Sequence, residues 1–166
     1  RIREAISQGH DTEIKSAFNE WYPADIAQII QELNDAEALT VFKSIPPDMA
    51  SEVILELDEA RREILLSSLS TKQIAAQIDN MNSDDAADVI AELPEKIQSE
   101  VLSQIEDVSQ ASDIAELINY TEGTAGSLMA KELVRVYTNN HVSDCIHQIR
   151  EQAENVDIMY AVYVVD

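Results

Sequence analysis

The sequence predicts a mainly α protein, a superhelical stack of short helices (an α-solenoid) followed by an incomplete α/β unit. Three observations carry this. An apolar pair recurs every twelve positions, as Ile30/Leu33, Phe42/Ile45, Ile54/Leu57, Leu66/Leu69, Ile78/Met81, Ile90/Leu93, Leu102/Ile105 and Ile114/Leu117. Turn-like residues follow nearly every pair: Asn34-Asp35, Pro46-Pro47, Asp58-Glu59, Ser70-Thr71, Asn82-Ser83, Pro94-Glu95 and Glu106-Asp107. After residue 128 the pattern changes to short apolar runs flanking one amphipathic segment. Apolar residues three apart share a helix face, whereas strand alternation would separate them. Each unit is therefore about ten helical residues, roughly 15 Å long. Helices that short are marginal alone and must bury their stripe against neighbours. Two units make one helical hairpin, a doubled period marked by Pro23 and Pro47, and hairpins in series make a solenoid.

The elements follow in order. Residues 1–20 read as a helical lead-in, with Ile2, Ile6, Ile14 and Phe18 apolar and a break at Gly9-His10-Asp11. The solenoid spans 21–118. Pro23 suits a first helical turn, Asp25 suits the positive end of the helix dipole, and Trp21 caps the end of the stack. Residues 119–128 hold two of the three glycines and no helical stripe, so they form a linker or a tight junction. Leu133 to Tyr137 reads as a strand and Thr138-Asn139-Asn140 as a turn. Val142 to Ala153 reads as a helix with Val142, Ile146 and Ile149 on one face. Tyr160 to Val165 is nearly all apolar, the mark of a strand buried on both faces. Strand, helix, strand is a βαβ unit with parallel strands. Two strands alone have too little core, so residues 129–166 read as part of a larger domain.

Charge narrows the function. Residues 1–122 carry 26 acids and 8 bases, net −18, against net −3 over 123–166. Such a field repels nucleic acid and anionic lipid and attracts cations, although an acidic surface also serves solubility. The single Cys145 excludes an internal disulfide, fits a reducing compartment, and reads as a small buried hydrophobe. The longest apolar run, Ile158 to Val165, is far short of a membrane span.

One helix concentrates the acids. At about 100° per residue, Asp84, Asp88, Glu92 and Asp85 share one face of the 83–93 segment, opposite Ala86, Val89, Ile90 and Leu93. No basic residue lies between Lys72 and Lys96. Carboxylates about 6 Å apart repel by roughly 0.7 kcal/mol in water and nearer 3 at an effective dielectric of 20. A hard divalent cation relieves that repulsion, and Mg²⁺ needs only one or two carboxylates because it keeps several waters. A solvated acidic face at a helix N-terminus explains the same pattern, and periodicity alone leaves both readings open.

The junction Thr124-Ala125-Gly126-Ser127-Leu128-Met129, the Asp84-Asp85-Ala86-Ala87-Asp88 segment, and the terminal Tyr163-Val164-Val165-Asp166 resemble the cytosolic part of MgtE-type magnesium transporters. The resemblance implies a helical superhelix followed by the first half of a CBS module, with the rest of a CBS pair and a transmembrane pore beyond. It implies Mg²⁺ as ligand, a homodimer in the full-length protein, and a place at the cytoplasmic face of the plasma membrane. Asp84, Asp85 and Asp88 match its metal-binding motif residue by residue. Glu52 and Glu92 are added to the metal set from facing position only.

No catalytic constellation is present, so the chain reads as a non-enzyme. His10, His141 and His147 are isolated and fit no zinc spacing. Gly123-x-x-Gly126 lacks the further glycines and lysine of a phosphate loop, and Ser127 sits in no nucleophile elbow. The rival reading is a protein-interaction scaffold, since flagellar motor switch proteins are loosely similar stacks of short helices. A nucleotide in the CBS module is a third reading, but its usual pocket needs residues beyond position 166.

Overall fold

A computed structural model describes residues 18, 21–121, 123–153, 156 and 159–166. Among the described residues eight helices run between positions 23 and 118: α1 Pro23–Glu32, α2 Asp35–Phe42, α3 Pro47–Glu56, α4 Glu59–Ser67, α5 Thr71–Ile78, α6 Ser83–Ala91, α7 Glu95–Leu102 and α8 Val108–Ile118. Their starts coincide with the turns that the twelve-residue period predicts. Asn34 and Ser70 close capping boxes with Glu37 and Gln73, and Asp58 accepts from the Arg61 N–H. Asp107 accepts from the Ser109 and Gln110 N–H groups. Proline opens α1 and α3 and is the N-cap of α7, where a missing N–H costs nothing.

Helices one hairpin apart pack together: α1 on α3, α3 on α5, α5 on α7, α2 on α4, and α6 on α8. This makes two rows with the apolar stripe between them. Of the sixteen paired positions, only Leu69, Leu93 and Leu102 stay half-exposed; the rest are buried. Each fully buried aliphatic side chain contributes about 1.5–3 kcal/mol. Phe18 is buried and Trp21 packs against the same core. Ile2, Ile6, His10 and Ile14 lie outside the described residues.

Long-range side chains close the helix ends. Arg61 of α4 donates to the Ile30 and Leu33 carbonyls at the end of α1 and pairs with Asp35 at 2.6 Å. Gln110 of α8 donates to the Met81 carbonyl at 2.9 Å and to Ile78 O at 3.4 Å, at the end of α5. Ile78 and Met81 stand four units after Ile30 and Leu33, so the same capping device recurs along the stack.

Beyond α8 the chain turns through Gly123, at φ +78°, a conformation that suits glycine, and a 3-10 turn at Gly126–Leu128. Strand β1 (Val134–Tyr137), helix α9 (Val142–Gln152) and strand β2 (Val162–Val165) follow. The strands are parallel, in register Val134↔Val162 to Tyr137↔Val165. The Gln152 side chain meets the free edge of β1, accepting from the Arg135 N–H at 3.0 Å and donating to its carbonyl at 2.8 Å.

Two expectations are corrected here. β2 is not buried on both faces, because Tyr163 and Val164 are 56% and 65% exposed. Cys145 is half-exposed instead of buried. Val142 and Ile146, on the apolar face of α9, are exposed too, and only Ile149 of that stripe is half-buried. The cause is common to all three. Periodicity fixes which face is apolar, but burial needs a covering layer, and α9 packs chiefly on β1, where Val134 and Val136 are buried. Among the described residues no helix is long and apolar enough to cross a membrane.

Candidate metal site

The acid stripe is built on α6, the helix that packs on α8. Ala86, Val89 and Ile90 face the core and are buried, which turns Asp84, Asp85 and Asp88 outward as the angular pattern predicts. Asp84 and Asp85 occupy the first turn, half-exposed, and Asp88 is exposed one turn on. The Asp85 carboxyl is pushed above its usual range, first by burial and then by the charges of Asp84, Asp88 and Glu132. A neighbouring cation would reverse the last three causes.

Glu132 was not among the sequence candidates. It arrives from beyond the junction and accepts from the Ser83 N–H and the Ser83 hydroxyl, both at 2.8 Å. Ser83 is fully buried, and its hydroxyl oxygen also accepts the Lys131 N–H at 2.9 Å. Forty-nine residues separate Glu132 from Ser83, so helical periodicity carries no signal for the contact.

The other two candidates stand elsewhere. Glu92 is the C-cap residue of α6, and both its oxygens are taken by Arg62, from Nε at 2.9 Å and Nη2 at 2.6 Å. Glu52 is exposed on α3, which packs chiefly on α1 and α5 rather than on α6. Among the described residues no group of three or more carboxylate, imidazole or thiol ligands converges on one point. Asp84, Asp85 and Asp88 offer carboxylate oxygens on an open face, without a closed ligand cage.

Beside the stripe lies an open cleft of about 650 Å³ between the stack and the strand–helix–strand unit. Asp79, Glu106, Asp107, Asp113 and Glu132 line it, with Lys131 their cationic neighbour. Burial is the main cause that raises the Asp79 carboxyl above its usual range. Its oxygen accepts the Glu106 N–H at 3.0 Å.

An acidic helical stack joined through a short turn to a parallel βαβ unit is the class that these features define. The profile of the family described as the MgtE intracellular N domain matches residues 21–123, and the chain belongs to that family. The magnesium transporter MgtE of Thermus thermophilus is 24% identical over 99% of this chain, and that of Bacillus subtilis is 23% identical over all of it. The chain spans 37% of the length of each. The Enterococcus faecalis MgtE is 37% identical over a shorter stretch, 34% of the chain and 13% of that protein.

Two solved structures share the fold over 99% of the chain. One is described as the cytosolic domain of the Mg²⁺ channel MgtE in complex with ATP, with TM-score 0.86, 24% identity and 67% of that chain covered. The other is described as the soluble part of a magnesium transporter, with TM-score 0.78, 23% identity and 65% covered.

Proposed function

We propose that this chain is the Mg²⁺-sensing cytosolic part of a magnesium transporter or channel, with no catalytic role of its own. Residues 129–166 begin a CBS module, and the partners are the rest of the CBS pair, the transmembrane pore and a second subunit of a homodimer. The protein stands at the cytoplasmic face of the plasma membrane. The observation that carries this reading is the Asp84/Asp85/Asp88 stripe with Glu132, from the other side of the junction, beside it, in a chain of the MgtE N-domain family.

The physical sequence is short. Without a divalent cation the acids of the stack and of the following unit repel, and the assembly favours an expanded state. Mg²⁺ supplies the positive charge that lets the two surfaces approach. Asp84, Asp85 and Asp88 hold it through oxygen and water, and the compact state closes the pore. The switch operates because the cation binds the compact state more tightly, and the population shifts by that difference in affinity.

The test is limited proteolysis of this chain and of the same chain extended through its remaining sequence, in MgCl₂ against NaCl of equal ionic strength. Protection by MgCl₂ beyond NaCl supports sensing. Equal protection, with a helical peptide retained by the stack, favours the interaction scaffold instead.

A further inference from the structure

The two rows of the stack are not packed alike. The row α1, α3, α5, α7 is continuous, each helix resting on the next. In the other row α2 packs on α4 and α6 on α8, but α4 and α6 make no comparable contact. The apolar pairs show the same break. Along the first row Leu33, Leu57, Met81 and Ile105, the second member of each pair, are all buried. Along the second row Ile45 and Leu117 are buried at the two extremes, while Leu69 and Leu93, at the ends of α4 and α6, are half-exposed. A middle repeat has a neighbour on each side and an end repeat has one, so uniform packing would give the opposite order.

What spans the gap is polar. Arg62 of α4 pairs with both carboxylate oxygens of Glu92, and its Nη1 donates to the Ile54 carbonyl at 3.4 Å. Helix α4 buries only Leu65 and Leu66, and Arg61 ties it to α1 and Asp35, so it travels with the first helices. The continuous row is fastened at the same level by backbone contacts. Asp79, just after α5, accepts the Glu106 N–H, and Gln110 donates to the Met81 carbonyl. Joints of the two kinds open differently. Parting apolar faces exposes surface at about 25 cal/mol per Å². A two-point ion pair is directional when closed, and water takes up its charges when it opens.

We propose that the stack is two halves, α1–α5 and α6–α8, hinged where α7 rests on α5 and latched on the opposite row by Arg62 and Glu92. With the latch closed the superhelix has one pitch. Opening it parts α4 from α6 and leaves the contacts of α5 with the α7–α8 turn intact. This goes beyond the sensing proposal: the hinge lies inside the stack, uses none of Asp84, Asp85 or Asp88, and holds whatever ligand the chain binds.

The experiment is pulsed electron spin resonance between two nitroxide labels in the 166-residue chain carrying Cys145→Ser. One label pair, Ser67→Cys with Ala91→Cys, spans the gap; the other, Thr40→Cys with Ser67→Cys, lies within the first half. All three positions are exposed. Arg62→Met removes the latch, and Glu92→Gln removes its negative charge with little change of shape. Each is expected to raise a second, longer distance between 67 and 91 to about five times its parent population, the scale of one partly shielded ion pair. The 40–67 distance is expected to stay as it was. Circular dichroism verifies folding, and Glu92→Gln alone decides if Arg62→Met loses helix. An unchanged 67–91 distribution in Glu92→Gln, or equal broadening of both label pairs, overturns the hinge.

Discussion

Arg62 closes a two-point ion pair on Glu92, with Nε and Nη2 at 2.9 and 2.6 Å from the two carboxylate oxygens. Both side chains are largely shielded, at 16% and 23% exposure. The pair ties α4 to the end of α6 and supplies Glu92 with a built-in cation. Replacing Arg62 by Ala leaves a shielded carboxylate unpaired, and stability is expected to fall by about 1.5–3 kcal/mol in urea denaturation. Glu92→Gln is expected to leave any Mg²⁺ response unchanged, because Arg62 already occupies both oxygens. A lost response would return Glu92 to the cation set.

The core prediction concerns Leu57 and Ile90, both buried between helices of the two rows. Truncation of either to Ala is expected to cost about 2–5 kcal/mol, because it removes transfer energy and leaves a cavity. Leu93→Ala is expected to cost less, since Leu93 is half-exposed. Denaturant midpoints at constant slope measure all three.

Two glycines make a further pair of predictions at the junction. Gly123→Ala places a side chain at φ +78° and is expected to cost about 1–2 kcal/mol. Gly126→Ala drives a methyl group into the Tyr120 ring, at a cost of about 1–3 kcal/mol. The two differ in reach. Gly126→Ala is also expected to disturb the Tyr120 hydroxyl bond to Glu116, whereas Gly123 has open space around it.

The pH dependence follows from opposite shifts. Burial and neighbouring acids raise the Asp85 carboxyl above its ordinary 3.8, so the folded chain holds that proton more tightly than the unfolded one. Asp85 therefore destabilises the fold above the raised value, and this penalty disappears as pH falls toward 3.8. Asp85→Asn is expected to raise the melting temperature at pH 7 and to have little effect near pH 4. Glu116 is the reverse. Its hydrogen bonds from Lys131 and Tyr120 hold it below its ordinary 4.5, so its support is complete above that value and is lost as pH falls through the lowered one.

The stack was legible because one period sets everything in it. The pairs from Ile30/Leu33 to Ile114/Leu117 locate the buried stripe, and Asn34, Asp58, Ser70 and Asp107 announce the helix starts by their capping chemistry. The parallel βαβ order was equally readable from Leu133–Tyr137 and Tyr160–Val165. Burial of β2 was not, since an apolar run does not say whether another layer covers it. In the candidate site, the direction of Asp84, Asp85 and Asp88 follows from helix geometry. The partners of the acids do not, because Arg62 reaches Glu92 and Glu132 reaches Ser83 through tertiary packing of elements thirty and forty-nine residues apart. No local pattern encodes those distances.

The central claim is that the α6 acids form a cation site and not merely a solvated face. Its most direct test is the melting temperature of the chain, extended through its remaining sequence, as MgCl₂ is raised at constant ionic strength with NaCl. A specific site gives a rise that follows RT ln(1 + [L]/Kd) with millimolar-order midpoint, whereas screening depends on ionic strength alone. The account predicts such a rise for the wild type and a diminished one for Asp85→Asn and Asp88→Asn, with helical content unchanged. A melting temperature that does not vary with Mg²⁺ at fixed ionic strength, or that rises equally in both Asp variants, would contradict it.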